Sequence, residues 1–390
     1  MKNFLDWLIN LIKSENIDLL LITGDIFNTV NPDIQSQELY YNFLNDVVKT
    51  NCKNVVITSG NHDSAAFLDA SASLLKNFNV HVIGRVRKPE DEVIILYNEQ
   101  NLPELIICAV PFLHDSDIRT GIDENDFKSR QKALIDGIYQ HYNEVYEQAL
   151  KIRENFKNNI PIIATGHLFI TGGHVVEGDG VRELYVGDLV QVQNDLFPDF
   201  LSYTALGHLH SRQNAGRENI CYSGSPVEIN FSESVRVIKK SVNIFELSPG
   251  NLKPDIKFID IPNYRDFLKI RGTFDEVVEA VQNLKCQIST WLEIILTERT
   301  EQDAQKILNT CIKDRPLIEI VSIQLEKSEK IISNSSFNGA TLLDDFSPIK
   351  IFELCLDENN ITNSTQREIY TDLYKEILNE IKTEQLNIYD

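Results

Sequence analysis

At 390 residues, with 42% hydrophobic and 24% charged residues and only 12 prolines and 17 glycines, the sequence suits a folded protein: one large domain with smaller additions. This excludes a disordered or fibrous chain, and the longest apolar runs, such as residues 17–22, are far too short to span a bilayer. A formal charge of −21 opposes holding nucleic acid by bulk electrostatics, so any such contact must be local, through cations in a cleft or a basic partner surface.

Residues 4–15 read as a helix, with Leu5, Leu8, Leu11 and Ile12 at helical spacing. The segment lacks the basic region, apolar stretch and cleavage site of a secretory leader, so the expected location is the cytoplasm, without a membrane anchor. Residues 18–23 then form a continuous apolar run, expected to be a strand buried on both faces, that ends in Gly24-Asp25. Similar runs follow at 54–59, 79–83, 93–97, 105–110, 161–165, 203–206, 219–223 and 241–247, with helical patterns at 36–50 and 126–156. The layout is α/β with two sheets, and this first domain is expected over residues 1–262.

From Asn263 the pattern becomes strand, helix, strand, helix, strand, a compact unit over 263–327 without any cluster of acids, His or Cys, which reads as a capping or binding module. Residues 328–345 are a polar linker, with Ser333-Asn334-Ser335-Ser336 and Asn338-Gly339. Over 346–390 two helices follow, with Ser347-Pro348 opening the first and Asn363-Ser364 capping the second. Ile369, Leu373, Ile377 and Ile381 recur every four residues, an apolar stripe that either packs on the other helix or docks on another protein's helices. Cys52, Cys108, Cys221, Cys286, Cys311 and Cys355 are scattered without a CxxC pair and read as reduced core residues.

Four times an apolar run enters a Gly that is followed by a group able to bind metal: LLLITGD, VVITSGNHD, IIATGH and YTALGHLH. The candidates are Asp25, Asn61, His62, His167, His208 and His210, all at carboxyl ends of strands, where α/β sheets collect their ligand sites. Carboxylate, amide oxygen and imidazole together suit Mn, Fe or Zn better than Ca or a structural thiolate site. One carboxylate can bridge two ions, about 3.5–4 Å apart, that clamp the attacking and leaving oxygens of an in-line phosphoryl displacement. Any one of these turns is commonplace alone; their ordered recurrence after buried strands is what points to phosphoester hydrolysis.

The motif order resembles the calcineurin-like metallophosphoesterases. Val110-Pro111-Phe112-Leu113, PIIATGHLFITGG, the run with Arg182, Tyr185 and Gly187, and Tyr222-Ser223-Gly224-Ser225-Pro226 are similar to the SbcD group of break-processing nucleases. The resemblance implies a four-layer α/β/β/α sandwich with a small α+β capping domain and a C-terminal helix pair for an SbcC-like ATPase, the two subunits assembling to a heterotetramer. It implies DNA as substrate, Mn²⁺ as cofactor, 3′–5′ exonuclease action on duplex ends and endonuclease action on single strands, in recombination, replication and repair. It places Asp25 between two divalent ions, completes one shell with Asn61, His167 and His208, and gives His210 to the other ion. His62 becomes the catalytic histidine that protonates the leaving oxygen or stabilises its charge, with Asp63 orienting it.

The family pattern opens with a strand ending in Asp-x-His, and the sequence as given starts at the helix beyond it. The expectation is one intact metal site, a second held by Asp25 and His210 alone, and poor cleavage unless coding sequence precedes Met1. The rival readings are a noncatalytic DNA-binding or scaffold subunit and a stand-alone phosphoesterase for small substrates. Arg85, Arg87, Lys88, Lys128 and Arg130 are weak candidates for DNA contact, since isolated surface charges are common.

Overall fold

The computed structural model describes residues 1–118, 127–156, 159–172, 191–231, 239–247, 252–300 and 303–326, and beyond them 352, 356, 361, 363, 366–368 and 370–375. The chain divides into two compact units, Met1–Glu326 and Lys327–Asp390. No described helix is long and apolar enough to cross a membrane.

The first unit opens with α1 (Lys2–Ser14), β1 (Leu19–Thr23), α2 (Ile34–Val48), β2 (Asn54–Thr58), the short α3 (Ala65–Ala70) and α4 (Ala72–Leu75), and β3 (Val80–Ile83). Asp33 starts α2 by accepting the Ser36 N–H at 2.7 Å, an N-cap that answers one of the helix's unpaired donors. Tyr40, Phe43, Leu44 and Val47 then fall on one helical face and are buried. The three strands form a parallel sheet in the order β1-β2-β3, with Thr23 opposite Thr58, so the Gly24-Asp25 and Gly60-Asn61 loops leave at the same end.

The first strand departs from its expected burial. All five residues of β1 are only partly buried. Among the described strands it pairs with β2 alone, so no described strand covers its other edge. Its side chains nonetheless alternate as a strand requires: Leu20 and Ile22 join the cluster beneath α1, α2 and α3, and Leu19 and Leu21 join the one facing the second sheet.

That second sheet runs β4 (Val93–Tyr97), β5 (Pro103–Cys108), β6 (Ile162–His167), β7 (Leu201–Gly207), β9 (Ile220–Tyr222) and β8 (Gln213–Asn214) in spatial order, with α5 (Asp115–Ile118) and α6 (Phe127–Glu154) between β5 and β6 in the chain. The central four strands are parallel and the two edges antiparallel. Ile107, Ile163, Tyr203 and Cys221 face the first sheet, whereas Ile106, Ile162, Ala164 and Leu206 meet Tyr142, Val145, Tyr146 and Ala149 of α6. Burying each large side chain in these clusters contributes roughly 1.5–3 kcal/mol. His167 stands opposite Gly207 in register, which brings the loop after β7 beside the last residue of β6.

A hairpin of β10 (Ser241–Glu246) and β11 (Asp255–Asp260) follows. Then come β12 (Arg265–Gly272), α7 (Phe274–Asn283), β13 (Ser289–Leu296), α8 (Ala304–Ile312) and β14 (Ile318–Leu325), whose strands form a three-stranded parallel sheet around its own apolar core. Thr273 and Glu276 close a capping box at α7, and Asp303 caps α8 through the Lys306 N–H. β8 and β11 were not anticipated from sequence: one has two residues, and the other carries Asp255, Lys257 and Asp260 among its apolar positions.

In the second unit Phe352 stacks on Tyr374 at 4.2 Å, Leu356 is buried, and Asn363 accepts the Gln366 N–H at 3.2 Å. The linker 328–345, Ser347-Pro348, Cys355, Ile369, Ile377 and Ile381 lie outside the described residues, as do Arg182, Tyr185, Gly187 and the side chains of Lys128 and Arg130. Cys52, Cys108 and Cys221 are buried free thiols; Cys286 and Cys311 are free and partly buried. Arg85 and Arg87 both pair with Asp69, which gives those two cations a structural occupation.

Candidate metal centre

Because β1 and β2 end level with one another, and β6 ends level with β7, four loops meet at one place. His167 is their hub. Its Nδ1 lies 2.8 Å from the Thr23 carbonyl, an acceptor only, so Nδ1 carries the proton and the ring is held by β1 across the gap between the sheets. This leaves Nε2 facing the Asn61 Oδ1 at 3.0 Å and the Asp25 Oδ2 at 3.3 Å. Two oxygens directed at one imidazole nitrogen suit a positive charge there, either a proton on the ring or a metal cation in its place. Asn61 Oδ1 also lies 3.3 Å from the Nδ1 of His208, whose ring meets His167 edge-on with centroids 5.3 Å apart.

The backbone is bent to allow this. Gly24 adopts φ +88°, and a Cβ there would overlap the His167 ring; a Cβ at Gly207 would overlap the Thr23 carbonyl. Asp25 and His208 follow with φ values of 51° and 94°, a conformation non-glycine residues rarely hold without surrounding constraint.

The electrostatics agree with a cation. Burial pushes the Asp25 carboxyl up, but the hydrogen bond and charge of His167, with the His62 N–H at 3.0 Å, outweigh it and hold the group at about 2. Burial disfavours a charged His167 and the Asp25 carboxylate more than offsets it, raising that ring's pKa. His208 is driven down to about 3, first by burial and then by His167, so it is neutral at physiological pH, and its Nε2 is buried without a hydrogen-bond partner. An ionised carboxylate, an amide oxygen, a neutral buried imidazole and a second imidazole are the donors a divalent transition ion takes. Among the described residues no three His, Cys, Asp or Glu side chains stand as a ready cage. One of the four candidate donors, Asn61, is an amide.

Of the remaining predicted residues, His62 lies in the loop after β2, and its charge acts on both Asp25 and His208. His210 acts on His208 in the same way. The hydrogen bonds of Asp63 run to backbone and not to the His62 ring: Oδ2 accepts from Gly60 at 2.8 Å and Ile26 at 3.2 Å, and Oδ1 from Phe27 at 2.9 Å. It ties the loop carrying Asp25 to the loop carrying Asn61, and its carboxyl is raised by burial against those N–H bonds.

Three residues at the site were not read as functional from sequence. Phe112 donates its N–H to the Ser59 carbonyl at 2.9 Å and sets its ring 6.2 Å from His167. The Tyr142 hydroxyl donates to the Thr165 carbonyl, and that of Tyr222 to the Leu168 carbonyl, so two buried phenols hold the backbone on either side of His167. Their only sequence signal was membership of the VPFL and YSGSP stretches or of a helical stripe.

The buried His208 carries a stability prediction for the metal-free protein. In the unfolded chain its ring takes a proton below about pH 6.5, but in the folded chain not until about 3. Stability from this ring is therefore complete above that window and falls by at most about 1.4 kcal/mol per pH unit within it. The raised His167 acts with the opposite sign. In urea melts of chelator-treated protein, wild type loses more stability than His208→Gln between pH 7 and 5, by up to about 2 kcal/mol; parallel losses would rule out a neutral buried His208.

The calcineurin-like phosphoesterase family pattern matches residues 2–212, and a second pattern, described as the type 5 capsule protein repressor C-terminal domain, matches residues 263–360. The chain is 27% identical over 372 residues to the D subunit of nuclease SbcCD from Escherichia coli K12, covering 94% of this chain and 89% of that protein. It is 32% identical over 334 residues to the same-named protein of Rhodobacter capsulatus, covering 82% and 76%. To that of Bacillus subtilis it is 30% identical over 249 residues, covering 63% and 60%. The family pattern across residues 2–212 and similarity extending through most of both chains, beside a loop-borne set of candidate donors at the ends of parallel strands, place this protein among the calcineurin-like phosphoesterases, in the family of SbcCD nuclease D subunits.

Proposed function

We propose that the protein is the metal-dependent nuclease component of a DNA break-processing complex, hydrolysing phosphodiester bonds with an SbcC-like ATPase as partner. The observation that carries this reading is the His167 Nε2 facing Asn61 and Asp25 oxygens at 3.0 and 3.3 Å, a position that suits a cation. Asp25, Asn61, His167 and His208 would hold one divalent ion, and Asp25 with His210 would serve a second, with Mn²⁺ the ion the family likeness favours. A bound ion supplies Lewis-acid charge against the scissile phosphate.

The chain's own groups do the rest. His167, locked by Thr23, and His208, kept neutral by burial, leave lone pairs for the ion. His62 gives a proton to the leaving oxygen or offsets its charge. Asp63 keeps the loops of Asp25 and Asn61 in register.

The finer architecture belongs to the same proposal. Residues 1–262 form a four-layer α/β/β/α nuclease domain, 263–327 an α+β capping domain near the DNA, 328–345 a linker and 346–390 a helical segment for the ATPase. The separate apolar cluster of β12–β14 with α7 and α8 supports a module that packs around its own centre. Exonuclease action on duplex ends, single-strand endonuclease action and a heterotetrameric complex complete the reading.

The test is cleavage of an end-labelled duplex by the protein produced with any in-frame codons preceding Met1, alone and with its ATPase. EDTA abolishes cutting and Mn²⁺ restores it. Absence of cutting with Mn²⁺ and the ATPase both present would leave a noncatalytic scaffold as the better description.

A further inference from the structure

The YSGSP stretch has a use that the catalytic reading does not absorb. It lies flat against the loop after β7: a Cβ at Gly224, where φ is +84°, would stand 2.8 Å from the His210 carbonyl and 2.9 Å from the Arg212 nitrogen. The next residue, Ser225, donates its N–H to that His210 carbonyl at 3.1 Å. Lys240, immediately before β10, brings its ammonium 3.1 Å from the same carbonyl and 2.6 Å from the Ser225 hydroxyl. That hydroxyl accepts from Lys240 and donates to the Val227 carbonyl at 3.0 Å, with the His210 carbonyl a second acceptor in reach at 3.4 Å. One peptide oxygen thus receives a backbone N–H and an ammonium, which together answer both its lone pairs.

An ammonium that donates to a carbonyl and a hydroxyl is a strong anchor for a loop, because hydrogen bonds from a charged donor are about twice as strong as neutral ones. The anchored peptide is that of His210, two residues beyond His208. We infer that Lys240 is a positioning residue: through the His210 carbonyl, and with Ser225 as a further contact, it fixes the direction of the His210 imidazole toward the metal centre. This rests on the reading of His210 as a metal ligand. Groups behind a ligand that fix its orientation commonly govern metal affinity by about 10–100-fold.

Mn²⁺ binding to the protein, produced with any in-frame codons preceding Met1, is followed by electron paramagnetic resonance and calorimetry for wild type, Lys240→Met, Lys240→Arg, Ser225→Ala and His210→Ala. Lys240→Met and His210→Ala weaken one class of Mn²⁺ site by about 10–100-fold and leave the other class within a few-fold. Lys240→Arg, which keeps a charged N–H donor, recovers most of the loss. Urea melts of the EDTA-treated proteins separate positioning from folding. If His210→Ala weakens Mn²⁺ binding but Lys240→Met lowers only the metal-free stability, the positioning role is overturned and the metal centre stands. If His210→Ala itself leaves Mn²⁺ binding unchanged, the ligand assignment fails, and the role of Lys240 with it.

Discussion

Replacing His62 with Gln lowers the turnover of DNA cleavage by about 10²–10⁴-fold, the usual worth of a positioned proton donor, and leaves Mn²⁺ affinity within a few-fold of wild type. The separation follows from where His62 sits. Its backbone N–H donates to Asp25 Oδ1 at 3.0 Å, and any residue but proline keeps that bond. Its half-buried ring is near enough for its charge to act on Asp25 and His208, so it stands at the centre, while the contacts that join Asp25, Asn61, His167 and His208 do not pass through it. Single-turnover rates at saturating Mn²⁺, beside a calorimetric titration of the metal, measure both quantities. Turnover within threefold of wild type would remove His62 from the chemistry; an equal loss of metal affinity would make it a ligand instead.

Asp63→Ala is expected to be the more damaging change to the protein as a whole. It leaves three N–H groups, of Ile26, Phe27 and Gly60, without their acceptor in a region where Asp63 itself is 3% exposed. Each unsatisfied buried donor costs about 1–3 kcal/mol, and partial access of water to the vacated space brings the sum to roughly 3–5 kcal/mol. Asp63→Asn falls between, since an amide has one accepting oxygen where the carboxylate uses two. The same substitutions loosen the loops that carry Asp25 and Asn61, so Mn²⁺ affinity falls along with the urea midpoint, in contrast to His62→Gln. An Asp63→Ala protein with wild-type midpoint and metal affinity would show that the two loops hold their register unaided.

The contrast between His62 and Asp63 marks how far the sequence could be read. Adjacent in the chain, they suggest linked roles, one orienting the other, because neighbours in a motif invite that reading. The bonds of Asp63 instead reach Ile26 and Phe27 in the loop after β1, partners that no local pattern announces. Lys240 was invisible for the same reason: a lysine between apolar runs looks like any solvated charge until the fold brings the His210 carbonyl to it.

The apolar runs that became β1 through β7, β9 and β10, the amphipathic α1, α2 and α6, and the strand–helix alternation from residue 263 to 326 were all legible, because a strand or helix buries a face whose periodicity is written into the chain. The Gly-led motifs at strand ends were legible too, and the structure brings Asp25, Asn61, His167 and His208 together there, with glycine accepting the crowding seen at Gly24 and Gly207. What tertiary structure alone decided was which atom faces which. The half-burial of β1 depends on having β2 as its single described neighbour, and the nitrogen that His167 turns to the centre is chosen by the carbonyl of Thr23, 144 residues away. Periodicity is a property of one segment, but burial, tautomer and charge are set by the groups that other segments bring within a few ångströms.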